Sequence, residues 1–292
     1  MPELPEVETV RLGLSGLLIG RKVISVHSDT EKSFPNATAD VRRFLVDAKV
    51  INVRRRAKVL IIDLNTDYSL IIHLKMTGQL VFRAGKQRFG AGHPNGSLVG
   101  ELPDKSTRVV YELNNAKLFF NDQRKFGWVK LVPTATIEDI DFFRKLGPEP
   151  LESTFSSADF RMRLQRRKNS NIKAVLLDQA VIAGVGNIYA DESLWGAKIH
   201  PLTKVSDVSS QKLNTLFNEL QSVLRLSIEK GGSTDRNYVN AEGKKGSYIS
   251  FARVFRREGK ACKRCGTIIE KIRVAGRGTH VCPTCQVYNS AT

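Results

Sequence analysis

The 292-residue chain has no apolar run of bilayer-spanning length, although 41% of its residues are hydrophobic; a membrane helix needs about 20 consecutive apolar residues. Its first eight residues hold three glutamates and no basic lead, so no secretory signal is expected. The expectation is a cytoplasmic protein with no membrane association. Cysteine is scarce: there are four, and without a secretory context they are not read as a disulfide framework. Acidic residues are also in short supply. Only 29 Asp and Glu stand against 46 Lys and Arg, a formal charge of +17. Such an excess repels itself and is tolerated where it attracts a polyanion. Charge alone leaves a ribosomal or membrane-surface role open, but favours nucleic acid.

Apolar positions Val7, Val10, Leu14, Leu17 and Leu18 recur at helical spacing. Strand-like runs then follow at residues 22–27, 49–54, 59–64, 69–74 and 79–82, and again at 108–113, 117–121 and 128–132. Short β-branched runs between turn residues predict a sandwich or barrel. The interval 84–106, with five glycines and two prolines, reads as a long loop without a period. Beyond Gly147-Pro148-Glu149-Pro150 the pattern turns helical, over residues 157–167, 171–179 and 209–229. The last of these stops before Gly231-Gly232, as helix C-termini do. The final forty residues are too few for a core of their own. The expected organisation is a β-rich block over 1–132, a linker over 133–150, a helical block over 151–255 and a metal-stabilised tail over 256–292.

Cys262-Lys263-Arg264-Cys265, sixteen residues, then Cys282-Pro283-Thr284-Cys285 form two C-x2-C knuckles. Each knuckle offers two thiolates on a tight turn, and the spacer suits a β-hairpin that closes them around one Zn²⁺. A complete four-sulfur shell leaves no position for water, so this zinc is expected to be structural. His280 is near but not needed as a ligand. The surrounding Arg253, Arg256, Arg257, Lys260, Lys263, Arg264, Lys271, Arg273 and Arg277 suit phosphate contacts, or a merely solvated surface. The motif speaks for zinc, not for DNA.

The opening Met1-Pro2-Glu3-Leu4-Pro5-Glu6 could be a stiff acidic lead into the first helix. It stands, however, in order with Arg55-Arg56-Ala57-Lys58, His73-Leu74-Lys75-Met76-Thr77-Gly78, Gly184-Val185-Gly186-Asn187-Ile188-Tyr189-Ala190 and the four-cysteine hairpin. Together, from Pro2 to Cys285, these resemble the bacterial formamidopyrimidine-DNA glycosylase family. The resemblance implies an α+β multidomain fold: an N-terminal β-sandwich with flanking helices, a helix-two-turn-helix domain and a C-terminal zinc-finger β-hairpin. It also implies excision of 8-oxoguanine and formamidopyrimidines from double-stranded DNA, with lyase action at abasic sites, by a monomer.

Residue by residue, the resemblance makes Pro2 the nucleophile once Met1 is removed. An ordinary α-amine has a pKa near 8, leaving about a fifth unprotonated near neutrality. Glu3 matches the acid that helps open the deoxyribose, Glu6 a supporting carboxylate, and Lys58 a phosphate contact near the reacting sugar. Met76, Arg124 and Phe126 match the trio that fills the stack when a base is flipped out. The stretch Asn121-Asp122-Gln123-Arg124-Lys125-Phe126-Gly127 departs from the family's D-P-R-R-F-G at two places but keeps Arg and Phe. Lys173, Asn187 and Arg277 match phosphate contacts. The segment 232–248, with Ser233, Thr234 and Arg236, matches a lid over the extruded base.

Three other functions compete, one of them a zinc-ribbon RNA or ribosome factor, which explains the charge and the cysteines but not the N-terminus. An endonuclease VIII-like enzyme for oxidised pyrimidines typically opens Pro-Glu-Gly-Pro, whereas Leu4 precedes Pro5 here. A non-catalytic lesion-binding protein would be expected to lose Pro2, Glu3 or Lys58, and all three are present.

Overall fold

A computed structural model describes residues 1–93, 95–233 and 247–288. The chain forms two compact units, one of Met1–Arg144 with Lys230–Ser247, the other of Lys145–Glu229 with Tyr248–Thr292. The break at Arg144 falls within the stretch read as a linker, and the zinc hairpin shares a unit with the helices.

The first unit opens with helix α1 (Leu4–Leu18). Glu3 sits at its N-cap in extended backbone, Pro5 lies in its first turn where no N–H is missed, and Glu6 reaches back to the Glu3 N–H at 2.9 Å. Leu4, Val7, Val10, Leu14, Leu17 and Leu18 are buried, which explains their helical spacing. Among the described residues eleven strands follow: β1 (Val23–Ser28), β2 (Val50–Arg56), β3 (Val59–Leu64), β4 (Tyr68–His73), β5 (Gly78–Ala84), β6 (Gln87–Gly92), β7 (Thr107–Leu113), β8 (Ala116–Asp122), β9 (Trp128–Pro133), β10 (Glu270–Val274) and β11 (Arg277–Val281). The first nine build two antiparallel sheets, ordered β1-β7-β8-β5-β6 and β2-β3-β4-β9. Leu60, Ile62, Ile72, Leu80, Phe82, Val109, Tyr111 and Phe120 belong to the core of this unit.

One expectation is corrected. The interval 84–106 is not a structureless loop, for it contributes edge strand β6, paired with β5 from Gln79↔Gly92 to Ala84↔Gln87, and a 3-10 turn at Gly96–Leu98. Gly90 and Gly92 are there for close approach. A Cβ on Gly92 would lie 2.3 Å from the Gly78 carbonyl oxygen, and one on Gly90 3.0 Å from that of Leu98. Phe89 anchors the strand, resting against α1 where Gly13 leaves room; a Cβ there would lie 2.1 Å from its ring. Glycine at alternate positions erased the period-two signal.

The second unit packs α2 (Ser157–Gln165), α3 (Ile172–Leu177), α4 (Asn187–Gly196) and α5 (Ser210–Glu229) around Ile172, Val175, Leu176, Tyr189, Leu194, Leu216, Leu220 and Leu224. Of these, α4 carries no clear apolar period in sequence. Past α5, Gly231 and Gly232 take left-handed backbone (φ 74° and 87°). Glu192 of α4 accepts the backbone N–H groups of Arg253, Val254 and Phe255, each at 2.9 Å, and so fixes the lead into the tail. Burial pushes this carboxyl up, against the pull of those bonds. Strands β10 and β11 form a hairpin through Ala275 and Gly276, both at positive φ.

Candidate active site and nucleic-acid interface

The expected chemical residues of the first unit gather at the start of α1. Pro2, Glu3 and Glu6 are buried, while Met1 is exposed. Both oxygens of Glu6 are committed to backbone: Oε2 accepts from Glu3, and Oε1 accepts the Ser233 N–H at 2.8 Å. Glu6 therefore braces the amino terminus against the first residues of the segment read as a lid. Gly232 lies against it, at a position where a Cβ would come within 3.4 Å of its side chain. Thr234 and Arg236 of that segment lie outside the described residues.

Lys58 lies in the tight turn between β2 and β3, beside Ala57 at φ 53°, and is buried rather than a solvated strand lysine. This turn is tied to α1. Arg55 donates to Glu8 Oε2 at 3.0 Å and to the Ala57 carbonyl at 2.8 Å, and Glu8 also pairs with Arg11 at 2.7 Å. Burial would raise the Glu8 carboxyl, but hydrogen bonds and charge from Arg11 and Arg55 hold it below its ordinary value. His73, at the end of β4, is pushed down to about 3, by burial first and then by the charges of Lys75 and Lys58.

Met76, Arg124 and Phe126 sit on two neighbouring turns, brought together because Gly78 pairs with Asp122 across β5 and β8. Asp122 organises both turns. It is fully buried and accepts the N–H groups of Arg124 (3.2 Å), Phe126 (2.8 Å) and Gly127 (2.6 Å), together with the Thr77 hydroxyl. Arg124 N–H also reaches Thr77 Oγ1 at 3.0 Å. Met76 remains 37% and Phe126 47% exposed, and the Arg124 guanidinium stands 4.9 Å from the Phe126 ring centre. Two large apolar side chains held out of the core beside a cation suit insertion into a base stack.

His93 was missed by sequence reasoning. Its N–H donates to the Gly78 carbonyl at 3.0 Å, and its own carbonyl accepts Gln79 Nε2 at 2.5 Å, setting it beside the Met76 turn. Burial lowers its pKa, as does the N-terminal ammonium, while Asp122 pulls the other way. A lone histidine between glycines and a proline gave no signal of that neighbourhood.

In the second unit, Asn187 opens α4 after Gly184 (φ 82°) and Gly186, its Nδ2 donating to the Gly278 carbonyl at 2.9 Å. Arg277 is exposed at the start of β11. Lys173 requires a second correction. It is not placed to touch a phosphate: its side chain is 0% exposed, with Nζ 2.5 Å from Asp191 Oδ1 and 2.6 Å from Thr279 Oγ1. An ammonium enclosed in this way has no face for DNA.

The four cysteines converge. Sγ of Cys262 is 4.0 Å from that of Cys285, Cys265 is 3.4 Å from Cys282, and all four sulfurs lie within 4.8 Å of one another. Zn–S bonds of about 2.3 Å at tetrahedral angles place sulfurs about 3.8 Å apart. The set fits one structural Zn²⁺. His280 points elsewhere, Nδ1 to Asp191 at 3.2 Å and Nε2 to Glu258 at 3.1 Å.

A sandwich carrying Pro2 and Glu3 at its first helix, joined to a helical unit that ends in a four-cysteine hairpin, defines a class: the zinc-finger DNA glycosylases. Comparison with known proteins gives the family. The formamidopyrimidine-DNA glycosylase N-terminal domain matches residues 1–129, the H2TH domain of the same enzyme residues 146–238, and a zinc finger found in that enzyme and an isoleucyl-tRNA synthetase residues 259–287. A formamidopyrimidine-DNA glycosylase of Herpetosiphon aurantiacus is 43% identical, covering 98% of this chain and 100% of the relative. That of Pelotomaculum thermopropionicum is 39% identical, covering 98% and 99%. A solved Lactococcus lactis Fpg mutant in complex with Fapy-dG-containing DNA superposes with a TM-score of 0.86 at 33% identity, over 98% of this chain and 100% of that one. The chain belongs to the formamidopyrimidine-DNA glycosylase family.

Proposed function

We propose that this chain is a bifunctional DNA glycosylase and abasic-site lyase that removes 8-oxoguanine and formamidopyrimidines from duplex DNA in base excision repair. The observation that carries the reading is the start of α1, where Glu6 accepts the N–H of Glu3 and Glu8 holds Arg55 of the turn bearing Lys58. Solved relatives support the substrate: Lactococcus lactis Fpg is bound to DNA containing an abasic site or N7-benzyl-Fapy-dG. Among the described residues no helix is long and apolar enough to cross a membrane. We assign the work to the bacterial cytoplasm, by a monomer organised as catalytic domain 1–132, linker 133–150, DNA-binding domain 151–255 and finger 256–292.

Once Met1 is removed, the lone pair of the Pro2 nitrogen attacks C1′, the damaged base leaves with the electrons of its glycosidic bond, and the proton the nitrogen then sheds passes to the departing base. Glu3 gives a proton to the ring oxygen as the sugar opens, leaving an iminium between C1′ and the proline nitrogen. A secondary amine leaves no N–H on that iminium, so it stays cationic and acidifies the C2′ proton. Loss of that proton expels the 3′ phosphate, and a second elimination expels the 5′ phosphate. Lys58 supplies positive charge near the reacting sugar. Met76, Phe126 and Arg124 fill the vacated stack, and Asn187 and Arg277 hold phosphates.

Borohydride trapping on 8-oxoguanine duplex tests this directly. The parent is expected to yield a covalent adduct, and Pro2→Gly to yield none. Glu3→Gln is expected to slow base release by a factor of about 100 or more. No adduct from fully demethionylated parent would overturn the reading. A thymine glycol duplex in the same panel separates the purine assignment from a pyrimidine one.

A further inference from the structure

Three consecutive residues of β11 are gripped by three side chains of the helical part of the same unit. Asn187 Nδ2 donates to the Gly278 carbonyl at 2.9 Å, Lys173 Nζ donates to Thr279 Oγ1 at 2.6 Å, and Asp191 Oδ2 accepts the His280 N–H at 2.9 Å. Lys173 and Asp191 pair with each other at 2.5 Å, both wholly enclosed. The Thr279 hydroxyl, in turn, donates to the Arg277 carbonyl at 3.2 Å. A chain of contacts thus runs from a buried ion pair to the backbone of the exposed arginine at the hairpin's start.

A buried ion pair is a poor source of net stability, because desolvation consumes most of its attraction, but it is a good device for fixing register. Here the register is specific. A slip of one residue would move β11 by about 3.3 Å and set Gly278, which has no hydroxyl, opposite Lys173. Backbone bonds within the hairpin do not prevent such sliding of the whole hairpin over α4. The contacts of Lys173 and Asp191 do.

We infer that Lys173, with Asp191 and Thr279, is a positioning residue that locks β11 in register against α4, so that Arg277 and Asn187 keep a fixed separation along a phosphodiester backbone. The inference rests on the proposed roles of Asn187 and Arg277 as phosphate grips. Lys173 acts on DNA only through them.

Thr279→Val, which deletes the hydroxyl and keeps the branched shape, tests the lock without unpairing a buried charge. Affinity for a duplex carrying a tetrahydrofuran abasic analogue is measured against salt for the parent, Thr279→Val, Arg277→Ala and the double variant, with zinc content and melting temperature as controls. Thr279→Val is expected to keep its zinc and bind several-fold more weakly. Its log–log salt slope should fall toward that of Arg277→Ala, by about one contact's worth, although no charge has been removed. The double variant should bind no worse than Arg277→Ala alone, since the two act through one contact. Unchanged affinity and slope in Thr279→Val, or losses that simply add, would overturn the inference. Normal binding by Arg277→Ala alone would instead remove the phosphate-grip reading, and the inference with it. If Lys173→Met also folds and retains zinc, it should lose the same slope as Thr279→Val; a parental slope in that variant counts against the lock.

Discussion

His73 makes the first unit sensitive to acid by an amount that can be worked out. Its ring lies 5.7 Å from the Trp128 ring and 5.8 Å from that of Phe142, and its Nδ1 accepts the Lys75 N–H at 3.0 Å. The proton of the neutral ring is therefore on Nε2. Burial, then Lys75 and Lys58, push the folded pKa down to about 3 from an ordinary value of 6.5. The unfolded chain thus takes up the proton first as pH falls. The stabilisation is complete above about pH 6.5 and is lost progressively as pH drops toward 3. At about pH 5 the loss from this one group comes to about 2 kcal/mol. His73→Asn keeps an acceptor for the Lys75 N–H but cannot titrate. Urea unfolding, followed by Trp128 emission in a Trp195→Phe background, should show the variant losing about 2 kcal/mol less than the parent between about pH 7.5 and 5. All other groups cancel in that difference. Equal losses, or an imidazole that titrates near its ordinary value by NMR, would refute the argument.

Other outcomes follow from the same geometry. Metal analysis should find one zinc per chain, and Cys282→Ser or chelation should release it and abolish DNA binding, because the finger is too small to fold on apolar burial alone. Met76→Ala and Phe126→Ala should change stability by no more than about 0.5 kcal/mol, as both side chains are exposed. Single-turnover excision should nevertheless slow by a factor of about 10 or more, since a base left in the stack is out of reach. Gly127→Ala should lower unfolding free energy by about 1–3 kcal/mol, because its Cβ would stand 2.7 Å from the Phe120 ring and 3.1 Å from the carboxylate that shapes the turn.

Much of this was legible because the relevant signals are local. A strand run such as Val59–Leu64 shows in its own residues, as do the two C-x2-C knuckles and the amphipathic spacing of α1. What stayed hidden was set by partners distant in sequence. Strand β6 was lost among glycines whose reason lies in backbone approach to Gly78 and Leu98, and in a ring packed over Gly13. Lys173 could be matched to a family position, yet a lysine bound for a phosphate and one bound for a buried carboxylate read alike. Asp191 lies eighteen residues on, and Thr279 far beyond it. Asp122 reads as an ordinary turn residue until three backbone N–H groups are seen converging on it.

Asp122 and Asp191 solve one physical problem in the same way. A surface that must enter or grip DNA cannot be positioned by burying its own apolar or charged tips, since burial would remove them from use. In the proposed function Met76, Phe126 and Arg277 form that surface; all three are exposed, and geometry is imposed from behind. In the first unit a buried carboxylate takes the backbone of the 122–127 turn, and a hydroxyl bond carries the constraint to the Met76 turn. In the second unit a buried carboxylate takes a lysine, and a threonine hydroxyl carries the constraint to Arg277. In each case an enclosed acid is satisfied by several directional partners at once, so sliding by one residue would leave charge unpaired in a low-dielectric interior. On the proposed reading, that penalty holds the exposed tips in position before DNA arrives.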